Sequence, residues 1–202
     1  MKELEIKRAL LEHLINDSTT EAISTEFPFH FGRRRADLIC VQEGEVFGYE
    51  IKSAYDRIDR LPVQLESYEQ LFDYVYVVCD KKHLASIRKL APEKVGIYIC
   101  SEEGVRRVRA ARLIRKFDTL ITLDALPIES LRKEFKLSGK SKFELCTKIK
   151  SAHKKENIKK AFRKYIVDRY GSRTITFQNE ITAIVTLDDV FSLSLPANKL
   201  GA

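Results

Sequence analysis

The sequence predicts an α/β protein, a mixed sheet flanked by helices, with a helical appendage towards the C-terminal end. Three observations predict it. Two apolar runs, ADLICV and VFGYEI, face each other across the turn signal Gln42-Glu43-Gly44-Glu45. The run YVYVVC at 74–79 is almost continuously apolar, which marks a strand buried on both faces. Beyond the hairpin, helical and strand patterns alternate, the order expected of crossover helices packed on a sheet.

Taken in order, residues 2–16 place apolar side chains at 4, 10, 11, 14 and 15 among charges and predict an amphipathic helix, ended by Asp17-Ser18. A first strand follows at 21–27, closed by Pro28. The hairpin occupies about 35–53. A two-residue loop, Glu43-Gly44, suits it because such turns need a positive φ, which glycine supplies. That register puts Asp37 directly opposite Glu50 and Arg35 opposite Lys52. Asp59 caps a predicted helix over 60–72, with Pro62 tolerated in its first turn. Its apolar stripe is Leu61, Leu65, Tyr68, Leu71 and Phe72. After the 74–79 strand come a helix at 81–90, stopped by Pro92, a strand at 95–100 and a short strand at 105–109. The pattern then turns helical at 127–136, 141–151 and 154–169. The segment 171–202 has one strand-like run, ITAIVTL, at 181–187.

The charge is unevenly spread. The net of +7 is concentrated in residues 125–170, where lysine and arginine outnumber acids, while 1–124 and 171–202 are close to neutral. A confined basic excess points to a polyanionic partner. Three regions follow: a core over 1–124, a basic helical segment over 125–170 and a tail over 171–202. Cys40, Cys79 and Cys100 lie in apolar runs and no CxxC spacing occurs, so buried thiols are expected rather than a zinc site or disulfides. With no long apolar run and no leader pattern, a cytoplasmic location is expected.

The chemistry is concentrated in the hairpin. Asp37 interrupts one apolar strand and Glu50 the other, and two facing carboxylates repel unless a cation offsets them. A divalent cation is the candidate, because hard ions such as Mg²⁺ choose oxygen ligands. Lys52 lies on the same face as Glu50, since strand side chains alternate with period two. The plainer reading is that Glu50 pairs only with Lys52 or an arginine near the sheet edge.

These residues carry a resemblance. One acid on a strand, then Glu50-Ile51-Lys52 on the next strand of a hairpin, then an α/β crossover, is similar to the PD-(D/E)XK nuclease superfamily. More narrowly, GRRRAD, GYEIKS and RLPVQLESY resemble small bacterial and phage members of it, over roughly residues 1–100. Ala36 stands where the superfamily's name motif has proline. The resemblance implies a restriction-endonuclease-like fold and phosphodiester hydrolysis of DNA. Asp37, Glu50 and the Ile51 carbonyl would ligate the metal. Lys52 would hold the attacking water or stabilise the developing charge, and Gln64 would face the site. Gln64 is also simply a polar residue at the edge of the stripe. A third acid is expected from Glu26, with Glu12 as the other choice. Arg33, Arg34 and Arg35 would reach a phosphate, since guanidinium forks suit its oxygens.

The basic segment has its own resemblance. LPIESLRKEFKLSGKSKFELCTKI is similar to the helix–extended–helix SAP type of DNA-binding motif. Lys140 and Lys142, then Lys154, Lys155, Lys159 and Lys160, would contact phosphates without reading sequence. The expected function is therefore a metal-dependent deoxyribonuclease with DNA as partner. A non-catalytic nucleic-acid-binding or protein-binding regulator on a nuclease-like fold is the alternative.

Overall fold

The computed structural model describes residues 1–180 together with 185, 186 and 190. The core is one six-stranded mixed sheet whose strand order follows the chain. Helix α1 (Glu3–Ile15) leads into strands β1 (Thr20–Phe29), β2 (Arg34–Gln42) and β3 (Glu45–Lys52), an antiparallel meander. Helix α2 (Leu61–Glu69) crosses over to β4 (Tyr74–Asp80), parallel to β3. A 3₁₀ turn, Lys81–His83, and α3 (Leu84–Leu90) lead to β5 (Gly96–Ser101), again parallel, and β6 (Gly104–Arg109) returns antiparallel. Helices α4 (Thr119–Asp124), α5 (Ile128–Phe135), α6 (Lys142–Ala152) and α7 (Lys155–Glu180) follow. The α/β class expected from the sequence is the class observed.

The hairpin closes as its turn chemistry demands. Glu43 and Gly44 both have positive φ, 49° and 71°, the signature of a type I′ turn whose twist matches the strands. The ladder then runs from Gln42 opposite Glu45 to Leu38 opposite Tyr49, the predicted register. Gly48 on β3 lies so close to Phe72 that an added Cβ would stand 2.3 Å from its ring. The absent side chain lets the segment after α2 seat on the sheet.

Each face of the sheet has its own core. On one, Leu10, Leu11 and Leu14 of α1 pack against Ile23, Leu38, Tyr49, Tyr76 and Tyr98. On the other, α2 and α3 meet α4–α7 over Ile39, Val41, Val77 and Ile97. Leu131, Phe135, Leu145, Ile149, Ile158 and Phe162 belong to that second cluster. The segment expected as an appendage thus buries its apolar side on the same sheet as the rest of the chain.

Several boundaries differ from the expectation. Pro28 does not close β1 but sits within it opposite Arg35. An edge strand tolerates proline because it has no second neighbour to supply with an N–H. Asp59 is not the cap of α2; Arg60 holds that position without a side-chain hydrogen bond. Helix α4 was not expected, since TLITLD is rich in β-branched residues; Asp118 nucleates it by accepting the N–H groups of Leu120 and Ile121 at 2.8 and 3.1 Å. Helix α7 does not end near 169 but runs to Glu180 along the β1 edge. There Thr174 Oγ1 accepts the Ile23 N–H at 2.9 Å. The strand-like run at 181–187 falls largely outside the described residues, and neither 185 nor 186 is in a strand. Among the described residues no helix is long and apolar enough to cross a membrane. The four cysteines are buried free thiols.

Candidate active site

The site forms where β2 leaves β3. Beyond Leu38 and Tyr49 the ladder between them stops, while β3 continues beside β4 through Glu50, Ile51 and Lys52. Asp37 therefore does not pair with Glu50 through the backbone, although it occupies the next register position. Its carboxylate accepts the Ile51 N–H instead, at 2.7 Å from Oδ2. Tyr68 on α2 fills the opening. Its hydroxyl accepts the Asp37 N–H at 3.2 Å and donates to the Tyr49 carbonyl at 3.4 Å.

Glu50 and Lys52 are almost wholly buried, at 2% and 7% exposure. Such burial is tolerated only with partners. Lys52 Nζ donates to Glu50 Oε1 at 2.7 Å, and Gln64 Nε2 reaches the same oxygen at 2.5 Å. Gln64 thus reaches Glu50 of the sheet from α2. Burial, and then the neighbouring Glu50 carboxylate, push Asp37 up to about 7. The same burial and the two acids push Tyr68 well above the usual tyrosine range, so its hydroxyl stays protonated.

A second set of charges adjoins Asp37. Glu26, in β1, has φ of 55° although it is neither glycine nor at a turn. A left-handed non-glycine residue inside a strand costs about 1 kcal/mol or more and needs support. The support is ionic. Lys7 Nζ of α1 lies 2.5 Å from Glu26 Oε1, and Arg35 Nε lies 2.5 Å from Oε2. Lys7 also reaches Glu3, at 3.4 Å, one helical turn back. Burial works against the charge on Lys7, yet Glu26, with Asp37 and Glu3 behind it, holds its pKa above the usual value. One carboxylate oxygen from each of Glu3, Glu26 and Asp37 lies within 4.8 Å of the others.

The structure brings Asp37, Glu50, Lys52, Gln64 and Glu26 to one place. Glu12 stands outside that acidic group. Arg35 does not face Lys52: it pairs with Pro28 of β1, because β2 has already left β3. Arg33 is exposed and Arg34 opens β2, half-buried. Glu3 and Lys7 escaped the sequence reading. A signal was there, a lysine one turn from Glu3 and on the side of α1 that carries Ile6, Leu10 and Leu14.

The basic residues fall into two groups. Lys140, Lys154, Lys155 and Lys160 are exposed. Lys142 pairs with Asp124 at 3.1 Å. Lys159 turns inward onto the fully buried Asp73, which also takes Arg163 at 3.2 Å and the Val46 N–H at 2.8 Å. Its charge ties α7 to the sheet rather than facing solvent. Helices α5 and α6 are joined by residues 136–141, which have no regular structure and open with Lys136 at a φ of 54°; Phe143 is exposed at the start of α6.

A family model described as bacteriophage P4 protein cII matches residues 1–194. Protein cII of Enterobacteria phage P4 is 33% identical to this chain over 102 residues, which are 48% of this chain and 37% of that protein. The match spans little more than a third of the relative's length. Among solved structures, a protein of unknown function from Silicibacter pomeroyi is similar at a TM-score of 0.43 and 20% identity, over 57% of this chain and 76% of that one.

Proposed function

The chain belongs to the bacteriophage P4 protein cII family, and from the site it carries we propose that it is a metal-dependent nuclease of the PD-(D/E)XK type acting on DNA. One observation carries this reading: Asp37, Glu50, Lys52 and Gln64 converge where β2 leaves β3, two acids beside a buried ammonium. The donor set fits a hard divalent cation. Like charges meet at Asp37 and Glu50, and Asp37 responds by holding a proton near neutrality, the response a bound cation would remove.

Asp37 and Glu50, with the Ile51 carbonyl, would hold Mg²⁺ or Mn²⁺, which supplies Lewis acidity towards a phosphate oxygen and water. The chain does the rest. Ile51 N–H fixes one oxygen of Asp37, and Gln64 and Lys52 fix Glu50. Lys52, already aimed at that carboxylate, donates to the incoming water or to the charge that develops on phosphorus oxygens. Arg33 and Arg34 lie at the entrance of β2, where a phosphate backbone would pass, and Lys140, Lys154, Lys155 and Lys160 offer a second basic surface.

The test is incubation with single-stranded, duplex and branched DNA in Mg²⁺ or Mn²⁺, comparing wild type with Glu50→Gln and Lys52→Ala. Cleavage by wild type that falls about 100-fold or more in both variants is expected, the order seen when a preorganised charge is removed. Undiminished cleavage in both would sink the assignment. A second reading, a non-catalytic nucleic-acid-binding or protein-binding regulator on this fold, is favoured by family membership and by the exposed Lys140, Lys154, Lys155 and Lys160, which need no chemistry to meet a polyanion. DNA binding without cleavage at any metal concentration would select it.

A further inference from the structure

We infer that the site takes a single divalent cation, and that the Lys7 ammonium stands where a second one would be held. The inference rests on the metal-dependent reading above and goes beyond it to the number of ions and the residue that sets it.

Glu3, Glu26 and Asp37 together offer the oxygen donors a second hard cation would use, three carboxylate oxygens within 4.8 Å of one another. A cation is already among them. Lys7 Nζ lies 2.5 Å from Glu26 Oε1 and 3.4 Å from Glu3 Oε1, on a side chain only 7% exposed. It is tethered by its own helix, α1, whose Ile6 and Leu10 anchor it in the core at 0% exposure. An ammonium at that depth is stable only among acids, and the acids around it outnumber it.

Other oxygens of the triad are engaged as well. Glu26 Oε2 is held by Arg35 at 2.5 Å, so both oxygens of Glu26 are engaged by cations of the chain. Asp37 Oδ2 accepts the Ile51 N–H. A divalent ion entering this triad would meet the Lys7 charge at contact distance and would have to expel it. Across the site the charges alternate: Arg35, Glu26, Lys7, Asp37, then Glu50 and Lys52. The alternation fails at one junction, Asp37 with Glu50, where two negatives adjoin. That junction is where one cation completes the row.

The left-handed φ of Glu26 fits this account. The strand spends conformational energy to present Glu26 to Lys7 and Arg35, which a surface acid would not require. Lys7 is thus a positioning residue: it holds Glu3 and Glu26 beside Asp37 and supplies a fixed positive charge.

The experiment is a Mn²⁺ titration of the full chain, free Mn²⁺ being followed by electron paramagnetic resonance and heat by calorimetry. Wild type is expected to bind one ion, Lys7→Arg one, Lys7→Met two, and Glu50→Gln to bind at least tenfold more weakly. Lys7→Gln serves if the methionine variant does not fold. Two ions in wild type overturn the inference, as does a single ion of unchanged affinity in Lys7→Met or Lys7→Gln. The metal reading fails differently: wild type and Glu50→Gln then bind no Mn²⁺ alike, and the inference falls with it.

Discussion

At the scale of single residues, the site is governed by how burial and neighbouring charge act on Asp37. Its carboxyl titrates near 7 in the folded chain against an ordinary value of 3.8. Between those values the native state keeps a proton that the unfolded chain has lost, so without divalent cation stability falls as pH rises from about 4 to about 7. Urea midpoints at pH 5 and pH 8 should show this slope, and Asp37→Asn should flatten it. Mn²⁺ should stabilise the wild type more at pH 8 than at pH 5, because only the ionised pair invites a cation. Asp37 and Glu50 were legible as charges in the middle of apolar strands, and Lys52 by its alternation with Glu50. Lys7 and Glu3 were marked only by the place of Lys7 on the apolar side of α1, and a helix that is charged on most faces hides one lysine whose ammonium turns inwards. Which charge is buried is decided by the acid it meets from β1, a contact between residues far apart in sequence.

At the scale of elements, the hairpin and its helix fix the site through close contacts that tolerate little change. Gly48 leaves room for Phe72, and Gly48→Ala should cost about 1–3 kcal/mol, the usual penalty of overpacking, seen as a lower urea midpoint. Asp73 joins three elements: it accepts the Val46 N–H of β3, precedes β4, and takes Lys159 and Arg163 of α7. Asp73→Ala should cost about 3 kcal/mol, because it leaves Lys159 facing a buried position without its acid, while Arg163 keeps only Glu45. The register of the hairpin followed from its turn, since Gly44 and Glu43 could adopt the positive φ that a two-residue loop requires. The parting of β2 from β3 did not, because it depends on Tyr68, supplied by another element. The length of α7 was illegible for a similar reason. Residues 171–180 include Gly171 and several β-branched side chains, poor helix formers, yet the helix persists where Thr174 and Gln178 bond to β1 and its approach.

At the scale of the whole molecule, the basic helices and the sheet are one core, which changes how nucleic-acid binding must be tested. Deleting 125–170 would remove Leu131, Phe135, Leu145, Ile158 and Phe162 from that core and should unfold the protein rather than merely weaken a contact. Neutralising the exposed Lys154, Lys155 and Lys160 to glutamine keeps the core and tests the surface alone. If each contacts a phosphate, the slope of log affinity against log salt for duplex DNA should fall by roughly 2–3. An unchanged slope would assign the charge excess to another role. Helix α7 has a consequence beyond charge. By giving Thr174 to the Ile23 N–H it occupies the outer rim of β1, which would otherwise offer unpaired amides to any passing chain. The same helix that carries the lysines is therefore a guard against intermolecular strand addition. A chain cut after residue 170 should gain light scattering and fibril-type dye binding on standing, whereas the lysine-to-glutamine variant should remain clear.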